Sequence, residues 1–233
     1  MQARSEVDRL KLVYQEYGER GWGKTKWSVT NPGNTAIRRE RERKLEQLLQ
    51  RTGLFPLGHM RILDVGCGTG ETLAGFEAWG ARSDNLFGVD LLADRIRRAR
   101  ENFPAMTFQE ANAEALPFAN GFFDLIAVFT VFTSILDPRM ARNLSREINR
   151  VLRSCGAVIW YDFRMNNPFN PHVRGISRNE IHNLFPRFQS RLISLTLLPP
   201  LARRWGPLTE LLYPCLASLP FLRSHYLGLL VKP

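Results

Sequence analysis

Cysteine is scarce. Cys67, Cys155 and Cys215 are the three, far apart and odd in number, with no Cys-x-x-Cys pair. That pattern argues against a disulfide framework and a cysteine-ligated zinc site, and it fits a reducing compartment. No metal is expected. A run of about 18 apolar residues is also missing, so no membrane-spanning helix is expected. The first 21 residues, MQARSEVDRLKLVYQEYGERG, alternate charged with apolar side chains and contain no apolar stretch of signal-peptide length. Secretion is therefore not expected, and the cytoplasm is the expected location. No internal repeat and no low-complexity tract is present. Acidic residues are outnumbered, 22 Asp and Glu against 32 Lys and Arg, for a formal charge of +10. Basic proteins meet polyanions. Here, however, the arginines are scattered, and the densest cluster, IRRERERKLEQ (37–47), is interleaved with glutamates in the manner of a solvated helix face. Without a clustered basic stripe or an added module, nucleic acid is not the expected partner.

What is present suits one soluble domain. The length of 233 residues allows a full hydrophobic core. Val7, Leu10, Val13, Tyr14 and Tyr17 recur at helical spacing over 5–20, and Ile37, Leu45, Leu48 and Leu49 do so over 35–51. Between them GWGKTKWSVTNPGN (21–34) reads as irregular. Short apolar runs then alternate with helical stretches. Strands are expected at 61–65, 86–90, 106–110, 122–129 and 157–163, with helices near 70–79, 92–102 and 137–153. This rhythm implies βαβ units in a parallel sheet with helices on both faces. Ser177 is set to cap a helix over 177–185, with Glu180 completing a capping box. Two further strands, 189–198 and 224–232, flank a proline-containing stretch.

The sequence ILDVGCGTG (62–70) ends a strand in three alternating glycines. Ligands of open parallel sheets sit beyond the carboxyl ends of the strands. Glycine there allows a tight turn and close approach of backbone to ligand. A dinucleotide fingerprint needs G-x-G-x-x-G, and here Glu71 occupies the third glycine's place. A phosphate-binding P-loop also fails, because no Gly-Lys-Ser/Thr follows. The loop suits a nucleoside with a cationic or zwitterionic appendage.

ILDVGCGTG resembles the first motif of the class I S-adenosylmethionine-dependent methyltransferases, and three further features stand in the matching order. Asp90, ending LFGVD, resembles the acidic residue that binds the ribose hydroxyls. ANAEALPF (111–118) resembles the family's adenine loop, with Asn112 in place of the usual aspartate. FDLI (123–126) followed by EINRVLRSCGAVIWYDF (147–163) resembles the fourth strand, a helix and the fifth strand. The likeness covers roughly residues 58 to 165. It implies an α/β, Rossmann-like, seven-stranded, mostly parallel sheet, and S-adenosylmethionine as cofactor, with S-adenosylhomocysteine as product. Asp64, Gly66, Cys67, Gly68, Gly70, Asp90, Leu91, Asn112, Ala113, Glu114 and Thr130 are the candidate cofactor residues, Cys67 as a small filler. Val131 and Phe132 should lie near the methionine portion. The expected organisation is an N-terminal helical lid (1–57) and a core with an acceptor-binding C-terminal part (58–233).

The acceptor is less constrained. Methyl transfer from a sulfonium is an in-line displacement, so the protein supplies alignment, desolvation and, for a hydroxyl acceptor, a base. The Asn/Asp-Pro-Pro-Tyr/Phe motif common in base and amide N-methylation is absent after the fourth strand, where VFTVFTSI (128–135) stands instead. The stretch 160–177 concentrates hydrogen-bonding groups. It makes His172 and then Asp162 the candidate bases, and Arg164, Asn166, Asn167 and Arg174 candidate acceptor contacts; a turn-rich cap is the alternative. Tyr14, Tyr17, Trp22 and Trp27 are candidate acceptor contacts from the lid, with plain core packing as the alternative. His182 reads as structural, and His59 and His225 have no supporting context. Residues 192–230 read as core plus acceptor pocket, with a membrane-docking surface as the alternative. The expected reaction is O-methylation of a sugar, glycan or related small molecule. The rivals are a quinone- or polyketide-like acceptor, a cofactor-binding inactive partner subunit, and a basic RNA methyltransferase. Oligomeric state is left open.

Overall fold

The computed structural model describes residues 5–21 and 28–233. Trp22 and Trp27 lie outside the described residues. Helix α1 (Glu6–Glu19) starts at Ser5, whose hydroxyl accepts the Asp8 amide at 3.2 Å. Helix α2 (Pro32–Arg51) starts before the apolar spacing suggests. Asn31 Oδ1 accepts the Gly33 and Asn34 amides at 2.9 and 3.4 Å, and Pro32 is preset for a first turn that needs no donor.

Seven strands form one sheet. They are β1 (Ile62–Val65), β2 (Leu86–Asp90), β3 (Thr107–Glu110), β4 (Phe123–Phe129), β5 (Leu152–Phe163), β6 (Gln189–Leu197) and β7 (Arg223–Val231). Their order is β3-β2-β1-β4-β5-β7-β6. β1 to β5 run parallel, and β7 is antiparallel to both β5 and β6. Helices α3 (Glu71–Ala78), α4 (Ala93–Asn102), α5 (Pro138–Val151) and α6 (Arg178–Leu184) connect them. Strands buried on both faces read as near-continuous apolar runs, and β1 and β4 do so apart from Asp64 and Asp124. One core cluster joins Val128, Val158 and Trp160 to α5 through Leu144 and Ile148; the other joins Ile62, Leu125 and Ile159 to Leu73, Leu45, Leu48 and Leu49. The C-terminal half of α2 is thus packed against the sheet.

Two local expectations are corrected, and a stretch left without an assignment is filled. β5 begins at Leu152, ahead of Ala157, because a shift of register between Phe123 and Leu125 lets the chain pair early, with Cys155 at φ 58°. Ser177 does cap α6, accepting the Glu180 amide at 3.1 Å, but the Glu180 carboxylate pairs with Arg174 at 2.7 Å instead of closing a capping box. The proline-containing stretch holds two short helices, α7 (Pro199–Ala202) and α8 (Thr209–Ala217). Pro199 and Pro200 sit in the first turn of α7, where no intrahelical donor is needed. Ala202, Tyr213 and Ala217 then pack with Ala36 and Ile37 of α2. No helix among the described residues is long and apolar enough to cross a membrane, and no described group of three or more His, Cys, Asp or Glu could hold a metal ion.

Candidate active site

The strand order reverses between β1 and β4, and the crevice beyond their carboxyl ends is where open α/β sheets bind ligands. A cavity of about 1110 Å³ opens there. Its first end is built by the glycine loop. The Gly66 and Cys67 amides donate to the Val89 carbonyl at 2.8 and 3.0 Å, which folds the loop back over β2. Gly66 has φ 73°, and a Cβ there would stand 3.1 Å from Val131 Cγ2. Gly70 has φ 98°, and a Cβ there would stand 2.7 Å from the Phe103 ring. Both positions therefore require glycine for backbone and for space. Asp90 is buried, and each of its carboxylate oxygens accepts one amide: Oδ2 from Gly68 and Oδ1 from Leu92, both at 3.0 Å. An ionised carboxylate has about four lone-pair sites, so acceptor capacity remains for two hydroxyls. Arg95 stands 3.9 Å from Oδ2, its guanidinium 4.5 Å over the Tyr14 ring.

Gly66, Asp90, Leu91, Asn112, Ala113 and Thr130 line the cavity, whereas Asp64, Cys67, Gly68, Gly70 and Glu114 do not. Asp64 is buried behind the loop; burial and then the neighbouring Asp90 charge push its pKa up to about 8. The Cys67 thiol is buried and pushed up by that burial. Glu114 accepts from Asn143 Nδ2 at 2.8 Å, and its amide donates to Asn112 Oδ1 at 3.0 Å, which ties the 111–118 loop to α5.

Residues 62–156 match the family model described as a methyltransferase domain. A solved S-adenosylmethionine-dependent methyltransferase from Mesorhizobium loti shares the fold, with TM-score 0.60, 18% identity, and 78% of this chain and 95% of that one covered. Residues 62–156 are thus similar to a methyltransferase domain, and the fold is the one that solved S-adenosylmethionine-dependent methyltransferases share. Among curated relatives, a fatty-acid O-methyltransferase of Mycolicibacterium smegmatis is 39% identical over 106 residues, 45% of this chain and 37% of that protein. A ubiquinone/menaquinone biosynthesis C-methyltransferase of Geotalea uraniireducens is 30% identical over 109 residues, 44% of this chain and 45% of that protein. The matched stretch thus spans less than half the length of either curated relative.

The second end of the cavity receives Tyr14, Tyr17, Asn166, Asn167 and His172. Asp162, Arg164 and Arg174 do not line it. Asp162 alternates with Tyr161 along β5 and so points to the other side of the sheet. It is fully buried, accepting the Thr133 and Phe163 amides at 3.1 and 3.0 Å; burial pushes its pKa up to about 7. A carboxylate sealed this way cannot reach an acceptor in the cavity, so it is withdrawn as a base. Arg164 donates to Ser194 Oγ at 3.0 Å, and Arg174 to the Ile135 carbonyl at 2.8 Å. Both hold the 164–177 loop to its surroundings.

The sequence reading singled out none of His225, Arg38, Arg41, Arg203 and Arg204, all of which line the cavity, although His225, Arg203 and Arg204 fall in the 192–230 stretch that reads as core plus acceptor pocket. His225 is the third residue of β7, opposite Phe163, and cross-strand register carries its ring onto Tyr161. Ser224 Oγ donates to the Thr196 carbonyl at 3.1 Å and stands 2.8 Å from His225 Nδ1. With its hydrogen so used, the serine oxygen accepts from Nδ1–H, and Nε2 is left as an unprotonated acceptor. Burial and then the Arg41 charge push the imidazole down to about 3, so it is neutral at pH 7. Two β-branched residues of the cavity wall, Thr130 at φ 56° and Thr196 at φ 66°, adopt left-handed backbone. Such outliers cost free energy and gather at functional sites.

Proposed function

We propose that this chain is an S-adenosylmethionine-dependent methyltransferase that methylates an oxygen of a small molecule bound in the same cavity. The observation that carries this reading is continuity. One cavity runs from Gly66 and Asp90 to Tyr161 and His225. Its volume exceeds the roughly 300–1,000 Å³ of pockets that hold one ligand. Methyl transfer needs two ligands side by side. In this reading Asp90 takes the ribose hydroxyls on its free lone pairs, Leu91, Asn112 and Ala113 border the adenine, and Gly66 and Thr130 face the methionine portion. When bound, the cofactor supplies a methyl group on a sulfonium, ready for in-line displacement.

The chain's own residues align the acceptor and keep water away. Helix α1 forms a roof. Tyr14 Oη and Ser134 Oγ are 2.9 Å apart, Arg9 donates to the Ser134 carbonyl at 2.5 Å, and Glu6 accepts the Leu136 amide at 2.6 Å. Residues 1–57 then act as lid and flank, and 58–233 as the core. His172 stands as the candidate base from the 164–177 loop, and His225 Nε2 as a hydrogen-bond acceptor from the floor. The inner wall is mostly apolar, with Leu10, Val13, Ile37, Phe163, Leu198 and Leu201 among its side chains. That favours an acceptor with an apolar body, the class in which the fatty-acid and quinone-pathway relatives work by name. A sugar or glycan acceptor is the second reading, favoured by Asn166, Asn167, Asn170 and His172 on one stretch of the wall. A methyl-donor assay across fatty-acid, phenolic, nucleotide-sugar and lipid-linked sugar acceptors separates the two. Turnover of sugar acceptors alone would reject the apolar reading, and turnover of none would reject both.

A further inference from the structure

The acceptor end of the cavity is one-sided in charge. Arg38, Arg41, Arg203 and Arg204 line it, and the cavity's single lining carboxylate, Asp90, belongs to the other end. None of the residues outside the described ones, 1–4 and 22–27, is Asp or Glu. Three of the arginines have ordinary surroundings. Arg38 is exposed and 4.0 Å from Glu42, Arg203 donates to Asn34 at 2.7 Å, and Arg204 is exposed.

Arg41 is different. It is half-buried, and its guanidinium lies 5.1 Å from the Phe129 ring centre and 5.3 Å from that of Tyr161. Among the described residues it makes no ion pair and no hydrogen bond; the carboxyl that feels its charge, Asp64, is buried and pushed up to about 8, so it is mostly protonated at pH 7 and offers little counter-charge. Its neighbour Glu40 is turned away, accepting the Tyr213 hydroxyl at 2.7 Å and the Thr196 amide at 3.2 Å. Tyr161 carries Arg41 against its ring and His225 stacked on it, so a five-donor cation and a neutral imidazole share one patch of floor. A partly desolvated guanidinium without a counter-anion is costly, and its planar fork matches a carboxylate or phosphate in bidentate fashion.

We infer that the acceptor carries an acidic group, carboxylate or phosphate, which Arg41 binds on the floor of the cavity beside Tyr161 and His225. This rests on the reading of that chamber as the acceptor end. The rim arginines raise the local concentration of an anion, and Arg41 fixes its position.

The test compares octanoate, octyl phosphate and octanol binding by calorimetry to the full chain loaded with S-adenosylhomocysteine. At least one anionic probe should bind about tenfold or more tightly than octanol, as expected for a charge-assisted contact. In Arg41→Gln that preference should vanish while S-adenosylhomocysteine affinity stays the same. Equal binding of octanol and both anions by the unaltered chain would overturn the inference, and so would a preference that survives in Arg41→Gln. The first comparison needs no variant, so a folding defect in Arg41→Gln does not blunt it. Failure of S-adenosylhomocysteine to bind the unaltered chain is a separate result and would strike the methyltransferase reading itself.

Discussion

His225 and Tyr161 stack face to face, their ring centres 4.6 Å apart and their planes 6° from parallel. The stack buries an imidazole that sequence context gives no reason to notice, and it does so at the wall of the cavity.

That burial has a pH signature. The His225 pKa falls from an ordinary 6.5 to about 3 in the folded chain. Below pH 6.5 the unfolded chain takes up a proton that the folded chain refuses. The stabilisation is therefore complete above pH 6.5 and lost as pH falls toward 3, with a slope approaching about 1.4 kcal/mol per pH unit. His225→Gln should lack this component. Urea denaturation of both proteins from pH 7 to pH 4 checks it, and parallel curves would show that the imidazole is not buried neutral.

Asp162 should act in the opposite sense. Its pKa is raised from 3.8 to about 7. Its contribution to stability is fullest below pH 3.8 and declines as pH rises through 7. Asp162→Ala leaves the Thr133 and Phe163 amides without their acceptor and should cost about 2–4 kcal/mol at pH 5. The cost should shrink by pH 8. Because the carboxylate is sealed from the cavity, the shape of the pH–rate profile should not change. A lost ionisation in that profile would reinstate Asp162 as a base.

The roof should depend on a few polar clamps. Tyr14→Phe removes the contact with Ser134 Oγ but keeps the ring under Arg95. A loss of about 1 kcal/mol is expected, seen as roughly fivefold faster amide hydrogen exchange confined to α1. Unchanged exchange there would mean that the hydroxyl does not hold the helix down.

His172 gives a cleaner test of catalysis. It lines the cavity, and its amide donates to Asn170 Oδ1 at 3.1 Å, so its side chain is not needed for that turn. His172→Ala should lower turnover by about 10²-fold or more, as loss of a general base does, with cofactor affinity unchanged. Full turnover would place the base elsewhere or show that the acceptor needs none.

The sheet was legible because its information is local. Apolar runs such as LIAVF, a glycine loop and a cap such as Ser177 state their conformation within a few residues, whereas the Asn31 cap lay inside a stretch that reads as irregular. The order of β6 and β7 and the register that pairs Phe163 with His225 depend on long-range pairing, and no short segment encodes them. The glycine-loop end of the cavity was readable in part for the same reason. The candidates that fell behind the cavity wall, Asp64 and Asp162, are carboxylates beside cavity-lining neighbours, and one step along a strand turns a side chain to the opposite face. Arg41 was hidden differently. It sits in a mixed charge run that reads as a solvated face, and only the approach of α2 to Phe129 and Tyr161 turns it inward. The helices α7 and α8 were obscured by prolines that sit largely where a helix tolerates them.

The central claim is that the glycine loop and Asp90 form one cofactor site. Its most direct test is calorimetric titration of S-adenosylmethionine and S-adenosylhomocysteine into the unaltered chain and into Asp90→Ala. The expected result is one site per chain, weakened at least about tenfold in the variant, since two charge-assisted contacts are removed. No binding to the unaltered chain, or equal affinity in Asp90→Ala, would contradict it.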